Sequence, residues 1–477
     1  MRIEFPKDQI VKRMVSENPW WEEDTIGTRF SSMKRREYFK LFFPLVMEKT
    51  VNRAVVLMGP RRVGKTVLLF HTIEELIKVK KVPAKNICYF SIEAPTYNGM
   101  GLEELLNYFL EANHLNNDSP DVYVFFDEIQ YLKDWKIHLK TLVDSFHTIK
   151  FIVSGSAAAA LKLKSNESGA GRFTDFILPP LTFHEYLSLK GLESIIFEKR
   201  EKYPLVYATA DIAGLNKHFI DYVNFGGYPE MSLSDTIQSD PSRYIKNDIV
   251  DKVLLRDLPT LYGIEDITEL NSLFTYIAFN TGSEMSLDSI SQTSGVSANT
   301  IKKYITYLEA AFLIKVVHRV DENAKKFKRA NFFKIYLTNP SLRCALFSPI
   351  KEDDNYAGNI VETAIFSQWQ HAESQELYYA RWNRGEVDIV SLPQGYQKPE
   401  WVVEIKWSNK CVKDRLELKH VLSFCKTHSV RVITVTTYDI EKIENIEGLN
   451  IDFIPSALYC YAVGRNLVQH KQLRIGG

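Results

Sequence analysis

At 477 residues the chain exceeds one ordinary core, and its 45% apolar and 25% charged residues exclude wholesale disorder, so roughly two to four folded domains are expected. Basic and acidic residues balance at 59 each, which leaves any nucleic-acid affinity to a local patch rather than to overall charge. The five cysteines, Cys88, Cys344, Cys411, Cys425 and Cys460, show no C-x-x-C spacing, which argues against a disulfide framework and a structural zinc site. No apolar leader opens MRIEFPKDQIVKRMV, and no run approaches eighteen uninterrupted apolar residues; the expectation is a cytoplasmic chain that does not span a membrane.

The first strongly patterned stretch is AVVLMGPRRVGKT, residues 54–66: an apolar run of strand length, G-x-x-x-x-G-K-T, then the helical pattern VLLFHTIEELIKVKK. Strand, glycine loop and helix in that order make a phosphate cradle. Gly59 and Gly64 free the loop backbone, Pro60 is part of the turn, and the amides of Arg61, Arg62 and Val63 and of the following helix start face the anion. Lys65 is expected on the β- and γ-phosphates of ATP, and the Thr66 hydroxyl on Mg²⁺.

A second strand, DVYVFFDEIQ (121–130), runs apolar into Asp127 and Glu128, placing a metal-holding carboxylate beside a water-polarising one at a strand end. A third, KFIVSGS, ends in Ser154 and Ser156, hydroxyls suited to sensing the γ-phosphate or orienting the water, or simply to a Ser-Gly turn.

GPRRVGKT, FFDEIQ, VSGSA, SGAGRF, LPPLTFHEYL and GGYPE together resemble the AAA+-related prokaryotic ATPases that carry a carboxy-terminal domain catalogued as of unknown function. The resemblance implies a P-loop parallel-sheet ATPase core. It makes Arg172 a candidate arginine finger, in cis or across a homo-oligomer contact; the bland alternative is a solvated arginine in a glycine-rich loop. Arg243 and Arg256 are candidates for a further sensor arginine.

From 206 to 270 the pattern is helical and suits a lid. Residues 286–320 then read helix, Gly-Val-Ser turn, helix and strand, the order of a winged helix, with FFKIYLT completing the wing. Asn299, Thr300, Lys302 and Lys303 fall at the start of the second helix, where groove-reading residues sit. Lys325, Lys326, Lys328 and Arg329 fall at the wing tip. Residues 299–334 hold nine Lys/Arg against three Asp/Glu, which favours DNA as partner, although winged helices also serve protein contact alone.

In the carboxy-terminal third, alternation along VVEIKW (402–407) sets Glu404 and Lys406 on one face. A strand pairing with RGEVDIV brings Asp388 beside Glu404, and Glu362 lies on the apolar face of the helix GNIVETAIFSQWQH, where an unpaired charge is costly. Helix Glu, strand Asp and Glu-x-Lys resemble the PD-(D/E)xK set of restriction-endonuclease-like folds, with Val387 in place of the motif's proline. That resemblance implies Asp388 and Glu404 on Mg²⁺ or Mn²⁺, Glu362 completing or supporting the site, and Lys406 neutralising or orienting the attacking water. The structural alternative is a surface Glu404–Lys406 pair, with Glu362 bridged to Arg381 or Arg384.

The expected architecture is therefore α/β: an ATPase core at 1–205, a helical lid at 206–270, a winged helix at 271–338 and a restriction-like α/β domain at 339–477. The expected function is ATP hydrolysis coupled to metal-dependent DNA cleavage. Alternatives are a nucleotide-driven DNA- or protein-binding switch with a non-catalytic nuclease-like domain, and an ATPase acting on a protein client.

Overall fold

The computed structural model describes residues 5–155, 171–200, 206–321, 323–324, 331–369, 376–382, 385–393 and 398–475. The chain divides into two compact units, one formed by Met1–Pro179 with Lys471–Gly477 and the other by Pro180–His470.

The first unit is built on a five-stranded parallel sheet: β1 (Ala54–Met58), β2 (Ile87–Ser91), β3 (Val122–Asp127), β4 (Ile149–Gly155) and β5 (Phe173–Ile177), in the order β2-β3-β4-β1-β5. Every residue of β1, β3 and β4 is buried, as befits parallel strands covered on both faces, and their near-continuous apolar runs are the sequence form of that burial. Helix α1 (Lys65–Lys78) follows β1 after a six-residue loop, and Gly64 at its amino end has φ 94°, a left-handed turn that glycine adopts without steric cost.

In the second unit the helix Phe183–Lys190 precedes a hairpin of β6 (Ile196–Arg200) and β7 (Val206–Thr209), followed by α2 (Ile212–Phe225) and α3 (Ile267–Phe279). Then come β8 (Glu284–Ser286), α4 (Leu287–Ser294), α5 (Ala298–Ala310), β9 (Ile314–Val320) and β10 (Phe332–Leu337). Local chemistry sets this run. Ser286 and Ser289 form a reciprocal cap at the start of α4, Gly295 ends it at φ 74°, and Ser297 caps α5 through the Thr300 amide. The remainder is α6 (Ala357–Gln368), β11 (Glu376–Trp382), β12 (Gly385–Leu392), β13 (Trp401–Glu404), α7 (Lys419–His428), β14 (Val432–Thr437), β15 (Lys442–Ile446), β16 (Leu449–Pro455) and α8 (Ser456–Ile475).

β8 to β16 form one nine-stranded sheet, ordered β15-β16-β14-β13-β12-β11-β9-β10-β8, separate from the β6–β7 hairpin. Two of the expected divisions are thereby corrected. The one at 338/339 falls inside this sheet, because β9 pairs in parallel with β11 through Tyr379↔Arg319 and Ala380↔Val320. The one at 205/206 falls between the paired strands β6 and β7, and the chain divides instead at 179/180. Backbone hydrogen bonding between strands on either side joins the segments that the sequence pattern separated.

Alternate side chains feed two apolar layers: Ile389 and Val403 join the core of α6 and α8, whereas Val390 and Val402 join that of α7. All five cysteines are buried thiols. No helix among the described residues is long and apolar enough to cross a membrane.

Candidate active sites

The phosphate loop leaves β1 through Gly59, whose φ is 155°, and a Cβ there would meet the Leu178 carbonyl oxygen at 2.1 Å. Only glycine lets the loop pass that close to the neighbouring backbone. Arg36, buried, donates from one guanidinium nitrogen to the Val63 carbonyl at 2.7 Å and from the other to the Pro179 carbonyl at 3.0 Å, pinning the loop from beneath. The Lys65 ammonium is folded back onto the loop, donating to the carbonyls of Gly59 at 3.0 Å and Pro60 at 2.8 Å.

Asp127, at the end of β3, gathers the groups around this loop. Its Oδ2 accepts from the Thr66 hydroxyl at 2.7 Å and from the Tyr89 hydroxyl at 2.8 Å, and its Oδ1 accepts from Ser154 and from the Glu128 amide. Sheet register explains the meeting: Ser154 lies opposite Leu57 of β1, and the β2–β3 pairing sets Tyr89 level with Phe125. Glu128 takes a left-handed φ of 55° and accepts from Gln130. Burial raises its carboxyl above the usual range, against the opposing charge of Lys65. A short-range set of hard oxygens, Thr66 Oγ1 and Asp127, beside an ammonium and a glycine loop fits a nucleotide with its Mg²⁺. Arg36 and Tyr89 were not singled out from sequence, since an arginine outside a motif and a tyrosine in an apolar strand carry no signature.

The second cluster centres on a residue absent from the expected set. Lys334 of β10, with a side chain only 3% exposed, lies 2.8 Å from Glu362 Oε1, 2.6 Å from Glu386 Oε1 and 3.7 Å from Asp388 Oδ1. The Tyr336 hydroxyl donates to the same Glu362 oxygen at 2.6 Å. The register Ile389↔Val403 brings Asp388 to Glu404, and Asp388 Oδ2 accepts from the Ile405 amide at 2.8 Å. Glu404 Oε1 pairs with Lys406 at 2.8 Å, while its Oε2 is buried with no hydrogen-bond partner. Burial, and then the charge of Asp388, push the Glu404 carboxyl up to about 8 against the pull of Lys406. Burial likewise raises Glu362, opposed by Lys334, while the surrounding carboxylates hold the Lys334 ammonium well above its ordinary value despite its burial.

Glu362, Asp388 and Glu404 thus meet in one region, but not as an open ligand set. Among the described residues no group of three or more His, Cys, Asp and Glu is arranged to hold a metal. The Lys334 ammonium instead sits against three of the carboxylates. The surface-pair alternative is corrected, since Glu404 is 7% exposed and Glu362 bonds Lys334 rather than Arg381. Arg381 reaches Glu386 and Glu284 instead, and Arg384 lies outside the described residues.

Residues 51–187, which include the phosphate loop, the Asp127 hub and β1 to β5, match a family model described as an AAA domain. This segment thus resembles an AAA domain. A second model, described as Domain of unknown function (DUF8612), matches residues 216–354. An uncharacterized protein of Methanocaldococcus jannaschii, MJ1544, is 25% identical over 404 residues, 83% of this chain and 84% of its own. An uncharacterized protein of Haemophilus influenzae is 23% identical over 412 residues, covering 85% of this chain and 95% of its own. Among solved structures, the Aeropyrum pernix ORC2 protein in ADPNP–ADP complexes aligns at a TM-score of 0.36 and 13% identity, covering 68% of this chain and 91% of that one.

Within this AAA-like segment, Arg172 is misplaced for a finger acting in cis. It precedes β5 at the amino end of the sheet: its carbonyl accepts from the Ala54 amide at 2.9 Å, and its Nε donates to Asp144 at 2.6 Å. The phosphate loop leaves the other end of β1, about 16 Å away at ~3.3 Å per residue. Ser156 lies outside the described residues, as do Lys325, Lys326, Lys328 and Arg329. Arg243 and Arg256 are exposed side chains on helical turns of the second unit, and Arg243 packs over the Tyr244 ring. On α5, Asn299, Lys302 and Lys303 are exposed, whereas the Thr300 hydroxyl is engaged with Ser297.

Proposed function

We propose that the chain is an ATP-hydrolysing protein whose second unit binds DNA through a winged helix formed by α3, β8, α4, α5, β9 and β10. The observation that carries the ATPase reading is the meeting of Thr66, Asp127 and Ser154 beside Lys65. Bound Mg²⁺ would be held by the Thr66 hydroxyl and Asp127 and would supply charge neutralisation of the phosphates. The Lys65 ammonium exchanges its two loop carbonyls for phosphate oxygens, so that one cation serves both states of the loop. Glu128, its carboxyl raised by burial, accepts the proton of the attacking water, and Ser154 holds Asp127 in place. Support for DNA binding comes from the exposed lysines at the start of α5. Phosphate release from ATP by purified protein tests the reading; activity that survives Lys65→Ala unchanged would refute it.

A second reading is favoured by the convergence of Glu362, Asp388, Glu404 and Lys406: a PD-(D/E)xK unit that cleaves DNA with a divalent cation. Incubation of linear, circular, branched and single-stranded DNA with Mg²⁺ or Mn²⁺ and ATP tests it, with Asp388→Ala as control. Intact DNA in every form would leave the second unit as a binding switch only. As the carboxylates stand, engaged by Lys334, the switch is the better supported state.

A further inference from the structure

We infer that Lys334 is the resident cation of the carboxylate cluster, and that a divalent cation enters only where the Lys334 ammonium has been withdrawn. The inference rests on the second reading for what a loaded site would do, but its test does not depend on cleavage.

The charge arrangement carries the argument. Glu362 and Glu386 lie within 2.8 Å of the Lys334 nitrogen, Asp388 lies at 3.7 Å, and the Tyr379 ring faces the ammonium at 5.4 Å. A lysine buried to this degree is unfavourable unless carboxylates pay for its desolvation, so its position is built rather than incidental. Remove the ammonium and three carboxylates face one vacated point, with the unpartnered Glu404 Oε2 buried nearby in the same cluster. Such a set of hard oxygens suits a divalent cation. While Lys334 is present, that cation must displace an ammonium already hydrogen-bonded to the same oxygens.

The key and the lock come from different segments. Lys334 belongs to β10, which pairs with β8 and β9, the strands that flank α4 and α5. The carboxylates belong to α6, β12 and β13. Glu284, opposite Lys334 in the β8–β10 register, is held by the Tyr379 hydroxyl at 2.8 Å and by Arg319 and Arg381, which tie β8 to β9 and β11. Withdrawal of the Lys334 ammonium from this pairing would uncover the three carboxylates together.

Titration of the nucleotide-free, full-length protein with Mn²⁺, followed by electron paramagnetic resonance, tests the inference. Lys334→Met is expected to bind one Mn²⁺ roughly ten- to a hundredfold more tightly than wild type, and the further change Asp388→Asn to abolish the gain. Lys334→Arg, which keeps a cation in place, is expected to behave as wild type. Equal affinity in wild type and Lys334→Met overturns the inference, as does a gain that survives Asp388→Asn. Should Lys334→Met fail to fold, amine labelling of wild type read by mass spectrometry decides: Lys334 is expected to gain label at saturating Mn²⁺, and unchanged protection overturns the proposal. Tighter Mn²⁺ binding without DNA cleavage would sink the nuclease reading and leave the lock standing.

Discussion

The Thr66 hydroxyl donates to Asp127 Oδ2 across 2.7 Å, joining the first turn of α1 to the end of β3 over 61 positions of sequence. Asp127 keeps donors from Tyr89 and Ser154 if that bond is lost, so Thr66→Ala is expected to cost only about 1 kcal/mol of stability. ATP hydrolysis, in contrast, is expected to fall at least about 10²-fold, because the lost oxygen is one meant for the metal. Thermal melts and a phosphate-release assay on the same preparation separate the two effects.

Gly59→Ala forces a methyl group into the Leu178 carbonyl, which a backbone atom cannot yield to as a flexible side chain would. The expected outcome is a destabilisation of about 1–3 kcal/mol together with weakened nucleotide binding, measured by denaturant unfolding and by fluorescent-nucleotide titration. Unchanged stability would mean that the loop does not pass β5's exit as closely as described.

Glu404 gives the carboxylate cluster a pH signature. Its carboxyl is pushed from an ordinary 4.5 up to about 8, with Asp388 and Glu386 adding to the burial effect and Lys406 opposing it. The folded state therefore binds more protons than the unfolded one between those values. That contribution to stability is complete below pH 4.5 and is lost as pH rises towards 8, with a slope of up to about 1.4 kcal/mol per pH unit. Glu404→Gln is expected to flatten this fall, so that its melting temperature gains on wild type between pH 5 and 8. Parallel pH profiles for the two proteins would refute the assignment.

Lys302 and Lys303 stand exposed on α5, near its capped start. Replacing both by Glu is expected to weaken DNA retention at every sequence and to reduce the slope of log affinity against log salt by about 2, near 0.9 for each lost phosphate contact. Filter binding across a salt series measures both. An unaltered slope would move the α4–α5 segment from DNA contact to protein contact.

Much of the first unit was legible in AVVLMGPRRVGKT and VYVFFDE, because a parallel strand buried on both faces writes a continuous apolar run, and a phosphate loop demands glycine and lysine at set spacing. Those are local requirements, and local sequence states them. The helix–turn–helix order at 286–310 was legible for the same reason, through its serine caps and Gly295. What only the tertiary structure decided was which distant groups meet. Tyr89 reaches Asp127 because β2 pairs with β3, and Arg172 lies at the wrong end of the sheet for its own phosphate loop because β5 runs parallel to β1. Lys334 looked like one more basic residue of a wing, yet alternation along β10 turns it, with Tyr336, towards Glu362, and the joining of β9 to β11 closes the sheet around it. An ion's partners are set by distance in space, and no spacing along the chain records a contact made through the pairing of strands from separate segments.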